Sequence, residues 1–501
     1  MNLKYLILMI AAIVEINVTE SRQNDKRRWK TDKSYSHYVN ICDIQDRVSK
    51  VHCYCESIKI KTATKADCWV FNGGIAEDDP FWSNFYSQPK IEKLSFNVRA
   101  DGGLTYIPAK VIVRLERLQY IHIQYANIFS IPSFAFTNST TLREVILPKN
   151  KITKLETMSF AHLIMLSNVS LVENQISELK RDVFYVLPNL QRLYLSKNTI
   201  SILHDGCFKH LNNLIKLDLD NNLLTVLIRE NFQGLSNLIT LDMRNNKLTM
   251  IGDLAFAELW SLEELYLDGN EIEFISDRGF GGLAGLRKLS LADNKLASLD
   301  DGVLDEIQKL NVLDLRNNYL ETLRQEAVQN VLENMKTNYA LISLDGNRLT
   351  CDCRLSWLHK LKNETRSKRL KASLARLNCI MDGKSKPNQV IPKIEKTESP
   401  LKLNTVYKND YADIEENFDE DKIYEEAMQD QETEIDESKI EHRRKLLDIP
   451  AETLPCPNRL SYEASYSPPT QDEVKYYKTS SSFKSLIPFN WIVLVLIAKM
   501  L

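Results

Sequence analysis

From Leu118 onward one hydrophobic phrase recurs: leucine, two variable residues, leucine, one variable residue, leucine, two variable residues, asparagine, one variable residue, leucine. Its copies start at Leu118, Leu142, Leu166, Leu190, Leu214, Leu238, Leu262, Leu286 and Leu310, always 24 residues apart. Less regular units begin at Ile91, followed by Leu94 and Phe96, and at Tyr339, followed by Ile342, Leu344, Asn347 and Leu349. A 24-residue period is not a multiple of seven, which excludes a coiled coil. Apolar residues at relative positions 1, 4 and 6 with asparagine at 9 suit a short strand followed by a turn. One such unit cannot bury its own apolar face, so the pattern predicts a stacked array with atypical units at its ends.

Each fixed position has a physical task. In Leu217 to Leu224 (LDLDNNLL) and its equivalents, the strand leucines point inward and the residues between them emerge on the concave side. Beyond the early repeats those outward positions carry Tyr194, Lys216, Asp218, Asp220, Asp242, Arg244, Glu264, Tyr266, Asp268, Lys288, Asp314 and Arg316. Most outward strand residues of any solenoid are merely solvated, yet a surface of both charge signs with tyrosines suits a self-complementary protein interface. Asn150, Asn174, Asn198, Asn222, Asn246, Asn270, Asn294, Asn318 and Asn347 fall where the chain leaves the strand. A side-chain amide there pairs backbone groups that an apolar residue would leave orphaned. Ala126 takes that place in the first regular unit. On the opposite wall Phe136, Phe160, Phe184, Phe208, Phe232, Phe256 and Phe280 recur with the same step and are expected to stack as a spine, giving way to Leu304 and Val328. The fold class is therefore an α/β-type repeat solenoid of about eleven units over residues 91–349.

The ends of the chain add a compartment. MNLKYLILMIAAIVEINVTES has one lysine, an apolar run from Tyr5 to Val14 and small or polar residues after it, so residues 1–21 read as a secretory signal peptide followed by a linker over 22–40. Secretion makes the nine cysteines disulfide material. Cys42, Cys53, Cys55 and Cys68 lie in a compact segment, 41–90, and four cysteines permit three pairings. Cys351, Cys353 and Cys379 follow the repeats within 350–400, and Cys456 lies far downstream. Cys207 is expected to be a buried unpaired thiol. The Cys351-x-Cys353 pair raises zinc as an alternative, but the histidine spacing is missing and no metal or other cofactor is expected.

Residues 401–479 are expected to form an acidic disordered stalk, with Asn409 to Glu441 its most charged part. Weak calcium binding or docking to a basic partner are sharper readings of the same run. Tyr411 and Tyr424 within it are candidate sulfation sites, and His442-Arg443-Arg444-Lys445 a candidate protease site. The final stretch Leu486–Leu501 is apolar but interrupted by Pro488, Asn490 and Lys499, and is short for a membrane span. With Ser480-Ser481-Ser482 before it, residues 480–501 match a glycosylphosphatidylinositol (GPI) attachment signal, Ser480 being the attachment residue. Sequons mark Asn138, Asn168 and Asn363 for N-glycosylation, while Asn17 leaves with the signal peptide. A glycan on Asn168, two residues after Leu166, stands on the concave side and concentrates binding further along.

The whole chain has 64 basic and 67 acidic residues for a net charge of −3, no bias toward nucleic acid. It carries no GxSxG, HExxH, phosphate-binding loop or GxGxxG in a strand–turn–helix context, and its eight histidines are scattered. Carboxylate pairs abound only in the acidic tail, where nothing drives their pKa values apart, so the reading is not an enzyme and no small-molecule substrate.

ICDIQDRVSKVHCYCE with Cys68 resembles the N-terminal cysteine flank of the extracellular leucine-rich-repeat superfamily. NRLTCDCRLSWLHKLK, with Trp357, Leu358 and Leu361 at helical spacing, resembles its C-terminal flank. Over roughly residues 40 to 380 the chain is similar to that superfamily, and most like its GPI-linked adhesion members of insect muscle and motor-neuron surfaces. The resemblance implies a leucine-rich-repeat horseshoe with parallel strands on the concave face and disulfide-bonded caps at both ends. The family's C-terminal flank has four cysteines, and Cys456 is the remaining candidate for the fourth here. If it pairs with Cys353 while Cys351 pairs with Cys379, the acidic tail is looped back onto the cap. The implied function is homophilic cell–cell adhesion and recognition in neuromuscular development, at the extracellular face of the cell membrane, with a protein partner that is the same chain on an opposing cell. A GPI-anchored receptor or co-receptor for a soluble protein ligand, or a secreted matrix protein, would use the same scaffold.

Overall fold

The computed structural model describes residues 39–44, 48–71, 73–381 and 443–456. Residues 1–21, read from sequence as a signal peptide, most of the expected linker, Tyr411, Tyr424 and residues 480–501, read as an attachment signal with Ser480, lie outside the described residues. Two compact units result, one reaching Tyr319 and resuming over Glu326–Asn347, the other made of Leu320–Gln325 and the chain from Arg348 onward.

In the first unit thirteen strands form one sheet in chain order: β1 Val51–Cys55, β2 Lys65–Val70, β3 Lys93–Val98, β4 Tyr120–Gln124, β5 Glu144–Ile146, β6 Asn168–Ser170, β7 Arg192–Tyr194, β8 Lys216–Asp218, β9 Thr240–Asp242, β10 Glu264–Tyr266, β11 Lys288–Ser290, β12 Val312–Asp314 and β13 Leu341–Ser343. β1 and β2 are antiparallel; from β2 onward neighbours are parallel. The repeat period is the sheet register: Val169 faces Leu193, and Leu217 faces Leu241. At the ends the step lengthens, Leu94 facing Ile121 and Leu313 facing Ile342. The opposite wall is mostly turns and two-residue strands such as Phe160–Ala161 paired with Phe184–Tyr185, with a short α-helix at Ala109–Arg114 and a single 3-10 turn at Arg229–Phe232, because a 24-residue coil leaves little chain for a longer helix.

The strand leucines and their partners are almost wholly excluded from water, and all seven phenylalanines of the opposite wall are at most 1% exposed. Phe136 stacks on Phe160 at 5.1 Å, Phe160 on Phe184 at 5.4 Å, Phe232 on Phe256 at 5.7 Å and Phe256 on Phe280 at 6.3 Å. The asparagine ladder ties each coil to the one before. Asn222 accepts from the Ile200 N–H at 3.0 Å and donates to the Leu195 and Leu219 carbonyls at 3.1 and 3.0 Å. Asn150 reaches into the unit that lacks its own asparagine, accepting from the Ala126 N–H at 2.8 Å and donating to Ile123 O at 2.9 Å. The residue before each ladder asparagine is left-handed, with φ of 54° at Asn221 and Asn245, 66° at Gly269 and 77° at Gly346. That single reversed residue turns the chain off the strand, which explains the asparagines and glycines there. Cys207 is buried and unpaired, and burial pushes its thiol pKa up.

At the N-terminal end Cys42 pairs with Cys55 and Cys53 with Cys68, the latter bridging β1 to β2. The second unit holds α1, Trp357–Glu364, and α2, Lys368–Arg376, whose Ser367 hydroxyl accepts from the Leu370 N–H at 3.1 Å. Trp357 is 7% exposed and its indole donates to Leu323 O at 2.9 Å. β14, Asn378–Ile380, runs antiparallel to β15, Arg443–Lys445. Cys351 pairs with Cys379 and Cys353 with Cys456, 103 residues away. This unit is thus discontinuous in sequence. Residues 443–456 belong to it, within the stretch assigned from sequence to the stalk, and bury Leu446 and Leu454.

Candidate recognition surface

The buried leucine at the centre of each strand holds one outward residue on either side, and parallel register sets each beside its equivalent 24 residues on, about 4.8 Å away. Three rows result. The first carries Arg192, Lys216, Thr240, Glu264 and Lys288, and the second Tyr194, Asp218, Asp242, Tyr266, Ser290 and Asp314. The third, just past the strands, carries Asp220, Arg244, Asp268, Ala292 and Arg316.

Tyr266 is the centre of the array. Lys288 Nζ stands 4.9 Å and Arg244 Cζ 5.4 Å from its ring centroid, and its hydroxyl donates to Glu264 Oε2 at 3.0 Å. Lys216 Nζ stands 5.8 Å from the Tyr194 ring. An aromatic face flanked by cations offers both apolar area and charge.

Two of the residues expected as contacts have another role. Asp242 and Asp314 are only 7% and 5% exposed. Asp242 accepts the Arg244 N–H at 3.1 Å and both guanidinium arms, Nε at 2.9 Å and Nη2 at 2.5 Å. Asp314 does the same for Arg316, at 3.1, 2.9 and 2.7 Å. Each aspartate is a bracket that fixes the arginine two residues on in a bidentate pose, leaving the guanidinium at the surface. Asp242 holds the Arg244 guanidinium pKa above its usual value by these hydrogen bonds.

Asp218 and Asp268 have no arginine beside them in this way. Burial raises the Asp218 pKa against the lowering effect of the Asp220 N–H, which donates to it at 3.0 Å. Burial likewise raises that of Asp268, opposed by the Ser290 hydroxyl, which donates to it together with the Ala292 N–H at 3.2 Å. Asp220 accepts from the Asn221 and Asn245 side chains at 2.6 and 2.9 Å. Ser290, Asn245 and Asn317, which donates to Asp293 at 2.8 Å, complete the surface without having been singled out from sequence. Their signal was available: Asn245 and Asn317 directly precede ladder asparagines, and Ser290 is the row equivalent of Tyr266.

Among the sequons, Asn138 and Asn363 are exposed, the first in a turn with φ 53° and the second on α1. Asn168 is half-buried on β6; its Nδ2 lies 3.4 Å from Glu144 Oε2 and its Oδ1 is buried without a hydrogen-bond partner.

A family model described as Leucine rich repeat matches residues 164–224, 213–272, 237–296, 260–320 and 284–336. Among curated proteins the chain is 39% identical over 111 residues to Connectin of Drosophila melanogaster, a stretch that is 22% of this chain and 16% of the relative. The match therefore spans about a sixth of that relative's length. Among solved structures, a complex of Latrophilin 3, Unc5D and the leucine-rich-repeat protein FLRT2 gives a TM-score of 0.45 at 22% identity, covering 55% of this chain and 81% of the other. The Drosophila Toll–Spatzle complex gives 0.45 at 21% identity, covering 62% and 52%. The regular coils, their asparagine ladder and the matched repeats show a leucine-rich-repeat array, its family match lying within residues 164–336, with Connectin a relative in sequence over 111 residues.

Proposed function

We propose that this chain is a cell-surface recognition protein whose partner is a second copy on an opposing cell, bound through the outward rows of β7–β12. The observation that carries this reading is the Tyr266 cluster with its bracketed neighbours. Arg244, Arg316, Lys216 and Lys288 interleave with Asp218, Asp220, Glu264 and Asp268 on one surface. A twofold-related copy of such a surface can set cation against carboxylate at each row, and a tyrosine flanked by cations supplies the anchor. Two further features support a site outside the cell: eight cysteines are bridged, as an oxidising compartment favours, and sequons lie on exposed residues Asn138 and Asn363. In this reading residues 1–21 direct secretion and Ser480 receives the lipid that replaces the apolar end of the chain, so that 23 residues, 457–479, join Cys456 to the membrane. Homophilic adhesion of this kind serves axon guidance and synaptic target recognition.

Two differently labelled populations of non-adherent cells decide it. Mixed aggregates should form only when both populations express the protein, and Tyr266→Ala with Arg244→Ala should disperse them while the protein stays folded at the surface. Adhesion of expressing to non-expressing cells would show a different partner, and full aggregation by the double variant would place the contact elsewhere. A GPI-specific phospholipase should release the protein from intact cells; retention would rule out the lipid at Ser480.

A further inference from the structure

The second unit is far more basic than the chain as a whole. Its described residues include thirteen arginines and lysines against five aspartates and glutamates, in a chain whose net charge is −3. Arg354 is neutralised by Asp352 at 2.6 Å and Lys360 by Glu364 at 3.7 Å. Arg366, Lys368 and Lys371, at and along α2, and Arg443, Arg444 and Lys445, along β15, are exposed and form no salt bridge with a carboxylate of the described residues.

These six sit on adjoining elements. α2 leads through Leu377 into β14, Lys445 on β15 lies opposite Asn378, and the Leu446 N–H donates to Leu377 O at 2.9 Å. A nine-residue helix is about 14 Å long, so neighbouring cations stand within one or two Debye lengths of about 8 Å at physiological salt and repel one another.

The chain's own counter-charge is attached to this unit. It departs after Met381 and is back at Arg443, and the run Asn409–Glu441 between them holds fifteen carboxylates and two lysines. Glu441 stands two residues before Arg443, and both sides of the excursion are pinned, since Ile380 pairs with Arg443 and Cys353 is bonded to Cys456. We propose that the basic surface of α2 and β15 is the docking site of this acidic run, bound in cis. A polyanion tethered so closely acts at an effective concentration in the millimolar range, which an external polyanion must outcompete. The docked run relieves repulsion among the six cations, and salt weakens the contact because both partners are exposed. The surface is thereby withheld from sulfated polysaccharides and the run from other basic proteins.

Zero-length carbodiimide cross-linking of the full-length monomer tests the contact directly. Carboxylates of the run should join to Lys368, Lys371 or Lys445 at about 0.05 M salt and lose most of that yield at about 0.5 M, where the screening length shrinks to about 4 Å. Cross-links directed chiefly to lysines of the repeats, or none within the monomer, would overturn the proposal. Heparin serves as the external probe in a second measurement. A chain with Glu432→Gln, Glu434→Gln, Asp436→Asn, Glu437→Gln and Glu441→Gln should bind heparin about tenfold more tightly than the unaltered chain at physiological salt. That gain should vanish when Arg443, Arg444 and Lys445 are also changed to glutamine. Equal heparin affinity of the unaltered and neutralised chains would mean that the surface is open to outside polyanions, and would refute docking in cis.

Discussion

Asn246 is where the ladder can be tested most cleanly. It is 1% exposed; its Oδ1 accepts the Leu224 N–H at 3.0 Å, and its amide donates to Leu219 O at 3.0 Å in the preceding coil and to Met243 O at 3.1 Å in its own. In Asn246→Ala the Leu219 carbonyl keeps a partner, because Asn222 also donates to it at 3.0 Å. The Leu224 N–H does not, and an orphaned buried donor costs roughly 1–3 kcal/mol. Adding the space left by the truncated amide brings the expected loss to about 2–4 kcal/mol. Because coils are stable only through their neighbours, the loss should appear in urea unfolding of the whole array, followed by circular dichroism, and in faster hydrogen exchange of the Leu224 amide. Asn245, next in the chain, is the control: it is exposed, its φ of 54° suits glycine, its side chain donates only to Asp220 on the surface, and its backbone N–H bond to Asp268 O survives the change to glycine. Asn245→Gly should change stability by no more than about 0.5 kcal/mol. If Asn246→Ala falls within that same margin, or Asn245→Gly costs as much, the ladder is not what ties coil to coil.

Three further expectations follow from other parts of the molecule. Protease cleavage between Met381 and Arg443 should give two fragments that separate on a denaturing gel only after reduction; with Cys353→Ser and Cys456→Ser they should separate unreduced, and stability should drop by up to about 4.7 kcal/mol for a loop near 100 residues. Burial raises the Asp268 pKa, so the folded state holds its proton more tightly than the unfolded chain, and stability falls as pH rises through the folded value. Asp268→Asn should therefore raise Tm at pH 7, with the advantage shrinking in acid as the native carboxylate protonates; an unchanged or lower Tm at pH 7 would contradict the assignment. At Gly346, with φ 77°, a Cβ would lie 1.9 Å from Asn317 Oδ1, whereas at Gly252 it would meet nothing within 4 Å. Gly346→Ala should cost at least about 1–2 kcal/mol and Gly252→Ala should be neutral or slightly stabilising, as thermal unfolding of the two variants will show.

The period alone determined much of this fold. Leucines at fixed offsets, an asparagine at the ninth position and a phenylalanine on the far wall can all be satisfied at once only by stacked coils in register, since each residue's partner is its own equivalent 24 residues away. Where that rule ends, the sequence is silent and the tertiary structure decides. Asp218 and Asp242 occupy the same place in the same phrase, yet Asp242 becomes a buried bracket because an arginine follows two residues on, while Asp218 has an aspartate there, which offers it a backbone N–H and no guanidinium. The C-terminal unit shows the same limit at larger scale. Nothing periodic marks Arg443–Cys456 as part of it; those residues belong there because β15 finds its hydrogen-bond partner in β14, Leu446 and Leu454 find burial, and Cys456 finds Cys353 across 103 residues of chain. Local repetition specifies neighbours one coil away, whereas contacts closed over so long a loop depend on packing that forms only when the rest of the unit is in place.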